Sequence, residues 1–284
     1  KKISLNASIN HKISAKDKIS AGVIVDLNRF NLMNSNVYPK AFTLRNTNGE
    51  TMLTQAYVQW KHRFSQNLTL NTGLTGLHYE LNNSVALEPR VGLTYQVTDR
   101  STFNLAYGLH SNLQPLLLYF YQTQNTNGSY SLTNKDLGFT KSHHFVLGYE
   151  RSLGENLRLK LEAYYQSLFN VPIQPSLGYY SVLIEGVDFA PTNVGNLVNK
   201  GTGQNYGLEM TLEKYFSNNY YFLVTGSLFD SKYKGSDGIE RNTPFNNRYV
   251  VNVLAGKDIP LGSRGVVSIN WKLTTAGGKY IRPI

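Results

Sequence analysis

The dominant signal along the chain is a strict two-residue alternation of apolar and polar positions, the pattern of a strand with two different faces. Ile3, Leu5, Ala7 and Ile9 alternate with Ser4, Asn6, Ser8 and Asn10, and Ile19, Ala21, Val23, Val25 and Leu27 repeat the arrangement. Similar runs follow at Ala56–Trp60, Leu68–Leu74, Leu87–Val97, Phe103–Leu109, Phe145–Tyr149, Leu157–Tyr165, Tyr206–Leu212, Tyr249–Ala255 and Val267–Leu273. With their flanking residues these runs come to roughly 9–12 residues, the length of a tilted strand that crosses a bilayer. The segment Tyr220–Ser231 is apolar on both sides, which leaves its inward side open. Pro89 carries no N–H, so a bulge or a skipped ladder bond is expected there.

The connections between these runs alternate between short and long. Short turns are predicted at Ser14–Lys18, Ser65–Asn67, Thr98–Ser101, Ser152–Asn156, Ser217–Asn219 and Ile259–Arg264. Long irregular stretches are predicted between Leu27 and Met52, and over Asn112–Lys141, Ser167–Gln204 and Lys232–Asn247. Only Asn82–Ser84 is short where a long connection is due. A barrel threaded through a membrane has this layout, with tight turns on the periplasmic side and loops outside. Every backbone N–H and C=O in hydrocarbon needs a partner, so spanning strands must pair and close. Phe64, Phe103, Tyr149, Tyr215, Phe216 and Tyr220 flank the short turns, where an interfacial aromatic girdle would lie. The fold class read from the pattern is all-β: a transmembrane antiparallel up-and-down β-barrel, with about 12 strands present.

Composition narrows the alternatives. Charged residues are 16% of the 284, below the roughly 25% of soluble domains, while tyrosine alone counts 20. A mean hydropathy of −0.32, with no apolar run of the roughly 20 residues that a helix needs, excludes a helical membrane protein. The chain has no cysteine, which excludes a disulfide framework and a thiolate metal site. It opens directly on a strand pattern without a signal peptide, as a mature portion or fragment would. The net charge of +10 is spread along strands, as in Leu157–Glu162, and not clustered as a nucleic-acid site requires.

Candidate chemistry is sparse. His143 and His144 are strand neighbours and point to opposite faces. Asp230–Glu240 is loosely acidic but lacks the ligand spacing of a calcium loop, and Gly201, Gly203 and Gly207 miss dinucleotide spacing. No nucleophile, base and orienter converge, so neither enzyme activity nor a cofactor is expected. Glu88, Arg90, Glu150, Arg158, Lys160, Glu162, Glu209 and Glu213 are expected to line the inner wall. In the long connections, Leu116–Tyr121 and Leu177–Tyr180 are apolar and aromatic. Tyr119, Phe120, Tyr121, Tyr179 and Tyr180 are therefore the candidate ligand-binding residues, with loop packing as the alternative.

Glu88-Pro-Arg-Val-Gly-Leu-Thr-Tyr-Gln-Val97, followed by Phe103-Asn-Leu-Ala-Tyr-Gly108, resembles TonB-dependent outer-membrane receptors of the Bacteroidetes type. Gly203–Met210, Asn242–Tyr249 and Thr274–Tyr280 fit the same resemblance, which covers essentially residues 1–284. It implies a barrel of about 22 strands, filled by an N-terminal plug. It also implies energised uptake of a scarce nutrient: a siderophore, haem, cobalamin, glycan or peptide. The implied partners are outer-membrane lipid, the plug, the TonB complex and, in glycan-importing relatives, a surface lipoprotein. The chain carries neither plug, TonB box nor aromatic-ended closing strand, and it stops at Arg282–Ile284 inside a loop. It therefore reads as the middle-to-late part of such a barrel. The rival readings are a passive porin and a surface glycan-binding or adhesin β protein.

Overall fold

The computed structural model describes residues 1–36, 42–186, 193–263 and 265–280; the last residue of the turn predicted at Ile259–Arg264 and the terminal Arg282–Ile284 fall outside them. Twelve strands form one antiparallel meander: β1 (Lys2–Lys12), β2 (Asp17–Asn36), β3 (Phe42–Arg63), β4 (Leu68–Tyr79), β5 (Ser84–Thr98), β6 (Ser101–Asn112), β9 (Thr140–Ser152), β10 (Leu157–Ile173), β11 (Val198–Ser217), β12 (Tyr220–Lys234), β14 (Tyr249–Pro260) and β15 (Val266–Ala276). Between β6 and β9 lie a one-turn helix, α1 (Leu116–Tyr119), and a small hairpin of β7 (Thr123–Gln124) and β8 (Tyr130–Ser131). A short β13 (Glu240–Asn242) pairs with β12. Among the described residues no helix is long and apolar enough to cross a membrane.

The ladder register assigns every side chain to one of two faces, because directly paired residues point the same way. Leu70, Leu93, Leu105, Leu147, Ala163, Leu208, Leu228 and Tyr249 form one continuous cross-strand row. Leu105, Leu147, Leu208 and Leu228 are each more than half exposed. The opposite row reads Asn10, Ser20, Gln59, Gly73, Arg90, Gly108, His144, Gln166, Asn205 and Ser231. Polar side chains thus share one face and apolar ones the other. The same register settles β12: Leu223, Thr225, Ser227 and Phe229 belong to the polar face, and Gly226 and Leu228 to the apolar one.

The short turns carry their own chemistry. Ser14 Oγ accepts from the N–H groups of Lys16 and Asp17, and Ser65 Oγ does the same for Asn67 and Leu68. At Asn218–Asn219 both residues are left-handed (φ 53° and 64°), as the tightest hairpin turns require. On the polar face, tyrosines lie flat across glycines of the neighbouring strand. A Cβ on Gly22 would come within 2.7 Å of the Tyr57 hydroxyl, and one on Gly207 within 2.8 Å of the Tyr164 hydroxyl.

Two expectations are corrected, and at Pro89 the skipped bond is found in place of the bulge. The irregular stretch predicted between Leu27 and Met52 is ladder almost throughout: β2 continues to Asn36 and β3 begins at Phe42, paired from Asn28↔Thr51 to Asn36↔Phe42. Asn28, Arg29, Asn31, Thr47, Asn48 and Glu50 show no alternation, since a hairpin standing beyond the hydrocarbon needs no apolar face. The stretch Ser167–Gln204 likewise narrows to 174–197, as β10 and β11 extend through register shifts near Val171. Pro89 makes no bulge with β4, where it pairs in register with Leu74. Its missing donor falls where the β5–β6 ladder ends, because that pairing starts at Arg90↔Gly108.

Candidate ligand site beneath a loop cap

That ladder ending creates a specific arrangement. Beyond Gly108, β6 pairs with β9 alone, and its free edge needs another acceptor. The Glu88 carboxylate supplies it, accepting from the Ser111 N–H and from Arg90 (2.7 Å). Glu88 is 3% exposed. Replacing Glu88 with alanine should cost about 1–3 kcal/mol by stranding the Ser111 N–H. The detergent-resistant folded band should then melt at a lower temperature, whereas Glu88→Gln, which keeps an acceptor, should sit nearer wild type.

The eight acidic and basic residues assigned to the inner wall all belong to the polar face. Arg158 makes a two-pronged bond to Glu150 (2.8 and 2.9 Å) and lies 3.8 Å from Glu213, and Lys160 pairs with Glu162 at 2.5 Å. Glu209 stands directly across the ladder from Glu162. His143 and His144 separate onto the two faces. His143 meets the Tyr107 hydroxyl at 3.0 Å, while the His144 ring lies 4.4 Å from His110 on the polar side.

Above this wall, two long loops (113–139, and the described residues 174–186 and 193–197 of the second) fold onto the polar face and build a compact core. Leu118, Tyr119, Phe120, Leu137 and Phe139 from the first pack with Tyr180, Ile184 and Leu197 from the second. Leu77, Tyr79, Ala86 and Tyr233 of the wall join them. Asn134, fully buried, is the central tie: its Nδ2 donates to Leu118 O (3.1 Å) and Val194 O (2.8 Å), and its Oδ1 accepts from Leu197 N (3.1 Å). Arg45, also fully buried, reaches from the tall β2–β3 hairpin to Leu117 O and Asn193 Oδ1. Burial depresses the Arg45 pKa from its ordinary value. The short Asn82–Ser84 connection is tied to this cap: Asn82 Nδ2 donates to Lys135 O (3.1 Å) and Leu137 O (2.7 Å).

The aromatic loop residues take unequal places in the cap. Tyr119, Phe120 and Tyr180 are buried in its core. Burial pushes the Tyr119 phenol pKa well above its usual range. Tyr121 is half-buried under the Arg45 guanidinium, and Tyr179 is exposed. Between cap and wall lies a cavity of about 620 Å³, lined by His110, Gln114, Lys141, His144, Leu183 and Glu185 among others. Ser111 and Ser142 also line it, and among the described residues their buried hydroxyls meet no partner. His110 and His144 also border a second cavity of about 500 Å³ lower on the wall. The alternation in β6 and β9 marked His110 and His144 as polar-face residues. Nothing local distinguished Asn134 or Arg45, whose partners lie 16 to 148 residues away.

The family model for the TonB dependent receptor-like beta-barrel matches residues 3–282. The chain belongs to that family. No curated protein matches it. Among solved structures, the ferric yersiniabactin uptake receptor FyuA from Yersinia pestis superposes with a TM-score of 0.69 at 14% identity, over 98% of this chain and 43% of that one. The siderophore receptor PirA from Pseudomonas aeruginosa gives 0.65 at 13%, over 96% and 48%. The alcaligin receptor FauA from Bordetella pertussis gives 0.63 at 16%, over 98% and 46%. At these identities the likeness concerns the fold, and the chain spans less than half the length of each of these neighbours. A TonB-dependent receptor barrel belongs to the outer membrane of Gram-negative bacteria. The apolar face of this chain is therefore its lipid face and the polar face its lumen side.

Proposed function

We propose that the chain forms the wall and ligand-facing loops of an outer-membrane receptor for TonB-dependent uptake of a scarce nutrient. The observation that carries this reading is the family match across residues 3–282, joined to a loop cap folded over the lumen face. The cap cavity is of small-molecule size, and His110, Gln114, Lys141, His144 and Glu185 give it polar lining for an incoming ligand. Iron and siderophore receptors among the structural neighbours favour a ferric siderophore over the other nutrients. The partners are an N-terminal plug within the lumen and the TonB complex, with Tyr179 left on the outer surface for a lipoprotein lid. Uptake of labelled ferric siderophore by iron-starved cells carrying the full-length receptor tests the reading. Accumulation should stop when a protonophore collapses the inner-membrane gradient. Passive flux into liposomes that hold the receptor, without energisation, would instead mark a porin.

A further inference from the structure

The lipid face is not uniformly studded with large side chains. Gly226 lies between Met210 and Val251 in one cross-strand row, and Ala163 between Leu147 and Leu208 in the next. A Cβ on Gly226 would meet nothing within 4 Å. These small residues open an apolar recess of about 570 Å³, walled by Leu161, Leu208, Met210 and Leu228. Toward the loop end it runs into a second cavity of about 680 Å³, which shares Ala163, Leu208 and Leu228 and is lined by Tyr206, Lys232 and Arg248.

The charges at the upper end are unequal in availability. Lys232 is bound to Asp230 (3.1 Å) and Glu240 (3.4 Å), and Asp230 is further held by Tyr206 and Asn246. Arg248 is exposed and, among the described residues, has no carboxylate within ion-pair distance; its guanidinium lies 5.6 Å from the Tyr280 ring centroid. Its backbone is held at φ 64°, a conformation that a non-glycine residue rarely adopts. The geometry points to a specific site for an anionic phospholipid of the outer membrane, one whose headgroup phosphate carries no compensating ammonium. Acyl chains fill the recess beside Gly226 and Ala163, and the headgroup phosphate meets Arg248. Apolar chains below and a free cation at the interface are the two features that such a lipid presents in mirror image.

The full-length receptor in nanodiscs of equal phosphatidylglycerol and phosphatidylcholine, stripped stepwise in native mass spectrometry, tests the site. Wild type should retain phosphatidylglycerol over phosphatidylcholine by about fivefold, the weight of one basic residue at a membrane surface. Arg248→Asn removes the cation and suits the left-handed backbone; it should retain lipid without preference. Gly226→Leu, alone or with Ala163→Leu, fills the recess and should lose the retained lipid itself, while heat-modifiable migration confirms a folded barrel. An undiminished preference in Arg248→Asn, or undiminished retention in the filled variants, overturns the proposal. The measurement needs no transport, so a receptor that binds this lipid but fails to take up siderophore would refute the uptake reading alone.

Discussion

A disulfide between Ser84→Cys and Gly138→Cys should stop uptake by the full-length receptor, and reductant should restore it. A Cβ placed on Gly138 lies 3.8 Å from Ser84 Oγ, within the reach of a disulfide. Ser84 opens β5 at the loop end of the wall, and Gly138 belongs to the cap. The chain has no native cysteine, so the new pair has no competing thiol within it. Uptake requires a path past the loops that cover the lumen face, and gating motions of this kind commit and release ligand. If fewer than one copy in ten can open, uptake should fall roughly tenfold. The check is labelled-ligand uptake in oxidised and reduced cells, with cross-linking scored by gel mobility. Full uptake by the oxidised receptor would show that ligand enters without moving the cap from Ser84.

The second large effect is expected at Asn134. Alanine there strands the buried Leu197 N–H, at about 1–3 kcal/mol, and takes a donor from each of the Leu118 and Val194 carbonyls. The cost should fall on the cap and not on the barrel, because the wall's ladder does not pass through Asn134. Limited proteolysis on intact cells should therefore cut within 113–139 or 174–197 at least about tenfold faster, tenfold corresponding to about 1.4 kcal/mol of opening free energy. The detergent-resistant mobility of the barrel should hardly change. Asn134→Asp keeps the acceptor for Leu197 but sets a buried carboxyl oxygen against the Leu118 and Val194 carbonyls, and should loosen the cap at least as much as alanine. Equal cleavage of the alanine variant and wild type would mean that apolar packing alone holds the cap.

Some of this architecture is legible one residue at a time. Period-2 alternation places Glu88, Arg90, Glu150, Arg158, Lys160, Glu162, Glu209 and Glu213 on one face, because side-chain direction in a strand follows from position parity. The Tyr119-Phe120-Tyr121 run shows the limit of that reasoning. Aromatic composition in a loop does not say whether the rings face ligand or each other. Tyr119 and Phe120 pack inward because the second loop brings Tyr180, Ile184 and Leu197 against them, a contact spanning some sixty residues. The β2–β3 extension is hidden for a different reason. A hairpin held by backbone bonds beyond the hydrocarbon needs no apolar stripe, so Asn28–Asn36 reads as loop and folds as ladder.

By itself the chain determined a strand meander, the two faces of its wall and the end at which the tight turns lie. Those properties depend on neighbours in sequence and on the period of the pleat. Only the tertiary structure decided that the long loops close into a cap tied by Asn134 and Arg45. It alone showed that Glu88 completes a broken ladder edge, and that Gly226 and Ala163 open a recess beneath Arg248. Each of these depends on which distant residues register, fold back or packing brings within a few ångströms, and the local pattern carries no record of such distances.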